Sequence, residues 1–268
     1  MRYFIRISFL GKEYCGWQIQ PGQISVQETI EKCIGNLIKE KINIVGAGRT
    51  DSGVHASSMY AHFDTENSIQ NKDFLRKINL YLPIDISILD LFRVKEKSHA
   101  RFDATSRTYK YFITKHKDPF KIDQSFFCKY ELDLRLMKKA AKALLKFDNF
   151  ESFSKSKTDV KTFICKVNYA QFVKEKETIV FEINANRFLR NMVRAIVGTL
   201  IEVGRKKISL KEFEEIILKK NRSSAGFSAP AKGLFLSDII YDWDKNIVPK
   251  LTKLSSFIDY YVLQNHIN

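Results

Sequence analysis

The sequence lacks the signals of several protein classes. No apolar run approaches the roughly 18 residues that a membrane-spanning helix needs, and no signal-peptide pattern is present. The four cysteines show neither CxxC spacing nor a cluster with histidine, which argues against a zinc site and a disulfide framework. A Walker-type Gly-Lys-Ser/Thr sequence is also missing. We therefore expect a soluble, cytoplasmic protein with reduced cysteines and no membrane partner.

The composition combines ample apolar material with an uneven excess of basic charge. The chain is 44% hydrophobic and 13% aromatic, which excludes an intrinsically disordered protein. Its formal net charge is +15; residues 101–268 carry 32 basic and 19 acidic side chains, whereas residues 1–100 carry 13 and 11. Because Lys and Arg contacts to phosphate release condensed counterions, this balance suits a polyanionic partner that is bound mainly by the second half.

Hydrophobic periodicity predicts strands and helices in alternation over the first hundred residues. Alternating apolar residues around Ile7 predict a strand, and Ser25-Val-Gln-Glu28 has the form of a capping box that opens a helix. Further strands are predicted over residues 42–47, 59–63 and 86–94, with a helix over residues 73–82. Because the short loops also allow hairpins, the pattern favours an α+β fold over a doubly wound sheet.

The second half has a similar content of elements. Strands are predicted over residues 108–114, 163–173, 179–185 and 234–240, and helices over residues 136–145, 187–203 and 210–219. Gly204 is expected to end the long helix from the C′ position. Residues 246–268 are expected to form a helical tail. Two halves of similar content fit a pair of related α+β lobes.

The segment Gly46-Ala-Gly-Arg49-Thr-Asp51-Ser-Gly53-Val-His55-Ala is the most informative in the chain. Three glycines in eight residues after a strand indicate a backbone that turns sharply and lies close to a neighbour. A dinucleotide fingerprint would need glycine where Asp51 stands, so that function is excluded. What remains is an Arg and an Asp on a tight loop. On local grounds alone, Asp51 could simply bond its own turn while Arg49 pairs on the surface.

The predicted long helix has a basic stripe. At about 100° per residue, one side of the helix collects four arginines and a glycine: Arg187, Arg190, Arg194, Gly198 and Arg205. A charged stripe is commonly just a solvated face. Glycine in the middle of a helix costs about 1 kcal/mol, however, so Gly198 indicates that a phosphate group or the Arg-Thr-Asp loop approaches closely.

The run of residues 48–56 resembles the catalytic motif of the tRNA pseudouridine synthase A (TruA) family, which usually has Ala in place of Ser52. Four further blocks resemble the family in the family's own order, so the resemblance covers residues 1–241. They are Tyr14-Cys-Gly-Trp-Gln18 with Val26-Gln27, Ala100-Arg-Phe102 with Arg107-Thr-Tyr109, Phe188-Leu-Arg-Asn-Met-Val-Arg194 with Glu202-Val-Gly204, and Ala229-Pro-Ala-Lys-Gly233. Phe9-Leu10-Gly11 departs from the family's usual Tyr-Asp-Gly.

The resemblance implies a fold, an activity and a partner. The fold is α+β, with two ferredoxin-like (RRM-like) lobes joined through a continuous antiparallel sheet and a central cleft. Residues 1–100 would form the lobe with the catalytic loop, residues 101–245 the basic lobe and residues 246–268 the tail. The activity is isomerisation of uridine to pseudouridine at positions 38–40 of the anticodon stem-loop of transfer RNA, by a homodimer.

The resemblance also implies roles for individual residues. Asp51 is the nucleophile, which adds either to C6 of the base or to C1′ of the sugar, and Arg194 pairs with it. Arg49 displaces the flipped nucleotide, and Tyr109 stacks beneath the target base. No redox step occurs, so neither a cofactor nor a metal is needed. His55 and His62 could be acid–base groups, but for His55 we favour a role in fixing the catalytic loop by hydrogen bonds.

Two other function classes remain to be tested against this hypothesis. A non-catalytic RNA-binding module would need neither the Arg-Thr-Asp loop nor the distant Arg194. A metal-dependent nuclease would need several converging acidic residues, whereas the loop supplies only Asp51, and Asp64 stands thirteen residues further on in a strand. Further candidates for contact with the RNA backbone are lysines of the second half: Lys155, Lys157, Lys161, Lys166, Lys206 and Lys207.

Overall fold

The computed structural model describes residues 1–156, 160–175 and 177–246. In this part of the chain the strands are β1 Arg2–Phe9, β2 Val45–Gly46, β3 His55–Asp64, β4 Ile86–Val94, β5 Ala104–Thr114, β6 Phe126–Phe127, β7 Val167–Glu175, β8 Thr178–Ala185 and β9 Leu234–Tyr241. The helices are α1 Val26–Ile38, α2 Asn71–Tyr81, α3 Leu134–Ala143, α4 Met192–Gly204, α5 Leu210–Leu218 and α6 Trp243–Asn246. The predicted tail lies outside the described residues from position 247 onwards. None of the helices described here has the length and apolarity to cross a membrane.

The strands form one large mixed sheet, so the α+β class is confirmed. The strand order is β4-β1-β3-β9-β5-β8-β7, with β2 beside β3 and β6 beside β5. The prediction that the sheet is antiparallel throughout is wrong at two pairings. The strands β3 and β9 run parallel, with His55 opposite Phe235, and β6 runs parallel to β5. The first of these pairings joins the two halves, because β9 lies between β3 and β5.

Two clusters of buried side chains lie along this sheet. One collects apolar residues of β1, β3, β4, α1 and α2; the other collects those of β5, β7, β8 and α3 to α5. The strand β9 contributes to both, with Leu236 in the first cluster and Leu234 in the second. Tyr109 packs against both clusters. The sheet is therefore continuous across the two halves although their cores are distinct.

Capping follows the local sequence. Ser25 is the N-cap of α1 and accepts a hydrogen bond from the backbone N–H of Glu28. The carboxylate of Glu28 forms an ion pair with Lys32 (2.6 Å). The start of α1 therefore has the serine cap, which is one part of the predicted capping box. A complete capping box is found at α5, where Ser209 and Glu212 bond reciprocally.

The long helix of the second half starts later than the periodicity predicted. It begins at Met192 because Asn191 adopts a left-handed conformation with φ of 66°. Arg187 and Arg190 therefore lie in the segment before the helix and not on its surface, and the predicted arginine stripe is wrong there. Gly204 is the last helical residue and not the C′ residue.

The glycines of α4 make room for other parts of the second half. A Cβ on Gly198 would lie 1.7 Å from the carbonyl oxygen of Phe227, so the close neighbour is the backbone around Phe227. The prediction of a phosphate group or the Arg-Thr-Asp loop at this glycine is thus wrong. A Cβ on Gly204 would lie 2.6 Å from the sulfur of Met137. Both glycines serve the packing of α4.

Candidate active site

The Arg-Thr-Asp loop connects β2 to β3, and its backbone packs against the N-terminal segment. Gly53 has a φ of 75°, which glycine tolerates and L side chains rarely adopt. A Cβ on Gly16 would lie 2.3 Å from the carbonyl oxygen of Thr50, so the two backbones are in direct contact. The backbone N–H of Gly53 donates to the carbonyl oxygen of Tyr14 (3.3 Å). The predicted sharp turn and close approach are confirmed.

His55 fastens this loop to two other segments. Its Nδ1 accepts a hydrogen bond from the N–H of Gly11 (2.9 Å), and its Nε2 lies 3.1 Å from the carbonyl oxygen of Lys232. A ring that accepts at Nδ1 must carry its proton on Nε2, where it donates to Lys232. Burial lowers the pKa of His55, which keeps the ring neutral. This geometry supports the fastening role over an acid–base role.

The loop presents the carboxylate of Asp51 to two arginines of the second half. Its Oδ2 lies 3.5 Å from Nη1 of Arg194, and its Oδ1 lies 3.8 Å from Nε of Arg190. Arg194 is held in turn by a hydrogen bond from its Nε to the carbonyl oxygen of Ala229 (2.7 Å). Asp51 therefore does more than bond its own turn, because its carboxylate contacts side chains of the other half.

Tyr109 lies at the same junction. It is half-buried, and its ring packs edge-on against Phe188 with the centroids 5.1 Å apart. Burial raises the pKa of its phenol, and the nearby charge of Asp51 adds to this effect. The phenol therefore stays protonated at neutral pH. Its neighbour on the same face, Tyr111, is fully buried and donates to the carbonyl oxygen of Pro230 (2.8 Å), as a core residue does.

The remaining basic candidates differ in whether a carboxylate of the protein lies beside them. Arg49 is exposed, and within the described part of the chain it makes no hydrogen bond or ion pair. Lys206 and Lys207 are 3.8 Å from Asp133 and 3.6 Å from Glu202, so carboxylates of the second half already neighbour them. Three of the other predicted lysines are exposed: Lys155, Lys161 and Lys166. Lys157 lies outside the described residues.

Arg107 has a positioning role that the residue pattern did not predict. Its guanidinium donates to the carbonyl oxygens of Arg101 (2.7 Å), Asn186 (2.8 Å), Ala104 (2.9 Å) and Ala47 (3.3 Å). These bonds tie the start of the Arg-Thr-Asp loop to β5 and to the segment before α4. The available signal was its position, because Arg107 precedes Tyr109 by two residues and so lies on the same side of the strand.

The charged side chains that pair with Asp51 are Arg190 and Arg194. Across residues 1–156, 160–175 and 177–246, no three His, Cys, Asp or Glu side chains are grouped in a way that could hold a metal ion. A carboxylate on a tight loop, an anchored arginine and a protonated tyrosine can together support nucleophilic attack by Asp51 on a ligand bound between the halves.

Comparison with known proteins points to one family. A family model described as tRNA pseudouridine synthase matches residues 140–242. A tRNA pseudouridine synthase A of Bacteroides fragilis is 51% identical over 242 residues, which cover 90% of this chain and 96% of the relative. The proteins of the same name from Porphyromonas gingivalis and Bacillus licheniformis are 45% and 40% identical, and the matches cover 98% and 100% of their lengths.

Proposed function

The chain belongs to the tRNA pseudouridine synthase A family, and we propose that it isomerises uridine to pseudouridine in the anticodon stem-loop of transfer RNA, at positions 38–40. The observation that carries this proposal is the contact of Asp51 with Arg194. A tight loop of one half holds a carboxylate against an arginine that is itself anchored in the other half. A module that only binds RNA has no need of such a pair.

The reaction requires a nucleophile and no external reagent. The N1–C1′ bond of uridine breaks, the base turns, and a C5–C1′ bond forms; C5 then loses its proton and N1 gains one. Asp51 would add to C6 or to C1′ and would leave again at the end, so that it is regenerated. Arg194 would hold the carboxylate in its orientation, because its own position is fixed by the carbonyl oxygen of Ala229.

Two further side chains would handle the flipped nucleotide. Tyr109 offers a ring at the junction of the halves on which the target uracil can stack, which is worth about 1–3 kcal/mol. Arg49 extends from the same loop as Asp51 and is not engaged by other described residues, so it is free to fill the space that the flipped base vacates in the stem. Both roles follow from the family and are supported by this placement.

The two halves, residues 1–100 and 101–245, would each be a ferredoxin-like lobe with the active-site cleft between them. Their element orders support this. In the first half the strands take the spatial order β4-β1-β3-β2, and in the second β9-β5-β8-β7. In the first half the order arises from a strand–helix–strand–strand–helix–strand sequence, and the second half has the same sequence with the short strand β6 and the helix α5 added. A homodimer would place two basic second halves on one transfer RNA, which suits their charge.

Tritium release tests this function directly. Transfer RNA labelled with tritium at C5 of uridine should lose tritium to water on incubation with the protein, because pseudouridine formation replaces that hydrogen with carbon. Binding without release would favour the RNA-binding module. Strand cleavage that depends on added Mg²⁺ or Mn²⁺ would favour the nuclease.

A further inference from the structure

The carboxylate of Asp51 has two arginine neighbours of very different character. Arg194 is mostly buried, with 21% of its side chain exposed, and is anchored to Ala229. Arg190 is 57% exposed, and its Nε is 3.8 Å from Oδ1 of Asp51, which is too far for a hydrogen bond. Among the described residues its guanidinium has no hydrogen-bond partner. Arg194 is therefore a fixed partner of the carboxylate and Arg190 a loose one.

The positive charge at this point exceeds what one carboxylate can neutralise. Asp51 supplies one negative charge, whereas Arg190 and Arg194 supply two positive charges. Arg190 also lies two residues before the start of α4, whose first turn contains no acidic residue. A helix N-terminus carries partial positive charge and favours anions, so two arginines there leave an excess that suits an added anion.

The substrate class supplies that anion at the required place. A carboxylate that reaches C6 or C1′ of a nucleotide lies beside a sugar that carries a phosphate on each side. The planar guanidinium of arginine matches a phosphate with paired hydrogen bonds, and an exposed ion pair of weak geometry is readily exchanged.

We propose that Arg190 changes partner when RNA binds: it leaves the carboxylate of Asp51 and donates to a phosphate oxygen next to the target uridine. Arg190 is thus a substrate-binding residue that fixes the nucleotide backbone, while Arg194 alone keeps its place on Asp51. This inference rests on the proposed function, since it takes the ligand to be a nucleotide whose base is attacked by Asp51.

A thermodynamic cycle that combines one substitution in the protein with the neutralisation of one phosphate in the RNA tests the inference. Transfer RNA is assembled by ligation with one neutral methylphosphonate, either 5′ or 3′ of the target uridine. The nucleotide before that linkage carries a 2′-O-methyl group in this RNA and in its all-phosphate control. Kd and KM are measured for the wild type, Arg190→Gln and Arg187→Gln. Arg187→Gln removes the same charge from the same segment, but Arg187 donates to the carbonyl oxygen of Thr162 and is not in contact with Asp51.

At one linkage only, the effects of Arg190→Gln and of the methylphosphonate on binding should not add. Arg190→Gln should weaken binding of the all-phosphate RNA about tenfold, as expected for one charge-assisted hydrogen bond. At one of the two linkages, methylphosphonate should weaken wild-type binding to a similar degree and should cost Arg190→Gln little more. Arg187→Gln should show full additivity at both linkages. Arg190→Lys, which keeps the charge, should recover part of the affinity and part of the coupling.

Additive effects at both linkages in Arg190→Gln would overturn the inference. So would a fall in kcat with KM and Kd unchanged, because Arg190 would then serve Asp51 itself. If Arg190→Gln has a lower melting temperature than the wild type, Arg190→Lys replaces it in the same cycle. Failure of the proposed function is a separate outcome: the wild type would release no tritium, while the binding cycle would still show whether Arg190 contacts the phosphate.

Discussion

The substitution Asp51→Asn removes the charge and the nucleophile while almost preserving shape. In the wild type, Oδ2 of Asp51 is 3.5 Å from Nη1 of Arg194, with 25% and 21% of the two side chains exposed. At an effective dielectric constant of about 20, the gross attraction at this distance is about 5 kcal/mol. Desolvation offsets most of this, and Arg194 keeps its bond to Ala229 in the variant. We therefore expect the free energy of unfolding to fall by only about 1–2 kcal/mol.

The catalytic effect of Asp51→Asn should be far larger. A neutral amide cannot add to C6 or C1′, so release of tritium from C5-labelled transfer RNA should fall below detection. Binding should persist within about tenfold of the wild type, a difference of about 1.4 kcal/mol, because phosphate contacts of the second half supply most of the affinity. The assay is therefore tritium release together with Kd and thermal melting of the same preparation.

A matched control separates charge loss from loss of chemistry. Glu202, at the other end of α4, lies 2.9 Å from Arg205, with 17% and 18% of the two side chains exposed. Glu202→Gln should lose at least as much stability as Asp51→Asn and yet keep turnover. Measurable turnover in a folded Asp51→Asn protein would refute Asp51 as the nucleophile. Loss of binding well beyond tenfold would refute the division of labour between the halves.

Three further predictions follow from the same structure. Tyr109→Phe should keep most of the activity if stacking is the whole contribution, whereas Tyr109→Leu should lose about 1–3 kcal/mol of transition-state stabilisation; full activity in both would make Tyr109 a core residue only. Burial lowers the pKa of His62 to about 4, so the unfolded state, with a pKa near 6.5, takes up its proton first as the pH falls. Stability measured by denaturant unfolding should therefore decline by roughly 3 kcal/mol between these two pH values, and His62→Gln should flatten that decline. Affinity for transfer RNA should fall steeply with salt, and replacing Lys155, Lys161 and Lys166 by Gln should reduce the slope of log K against log salt; an affinity that does not change with salt would contradict the electrostatic reasoning.

The secondary structure was largely predictable because its signals are local. The predicted strands over residues 86–94 and 179–185 agree with β4 and β8 within a residue. The start of α4 was not predictable from periodicity, because the apolar and basic pattern continues through Arg187 and Arg190. The helix cannot begin before Met192 because the backbone of Asn191 is left-handed, and the bond of the Asn191 side chain to Ser228 (2.7 Å) is not encoded in the local pattern.

The pairing of strands that joins the two halves could not be predicted from local sequence patterns either. Alternation of apolar residues identifies β3 and β9 as strands, but it carries no information on which strand lies beside which, or in what direction. The parallel pairing of His55 with Phe235 depends on chain segments 180 positions apart. The contact of Asp51 with Arg194 is likewise long-range, and only the resemblance to a family brought these two residues together before the structure did.

The form of the Arg-Thr-Asp loop shows where sequence reasoning reaches its limit. Its glycines predict a close neighbour without identifying it, and the close backbone contacts are made by Gly11 with Val54 and by Gly16 with Thr50. A Cβ on Gly11 would lie 2.0 Å from the carbonyl oxygen of Val54, so these backbones can meet only because both glycines lack side chains. His55 then binds both Gly11 and Lys232, partners that are 44 and 177 positions away. The direction of the Asp51 carboxylate is therefore a property of three segments packed together, and a peptide of the loop alone would not hold it.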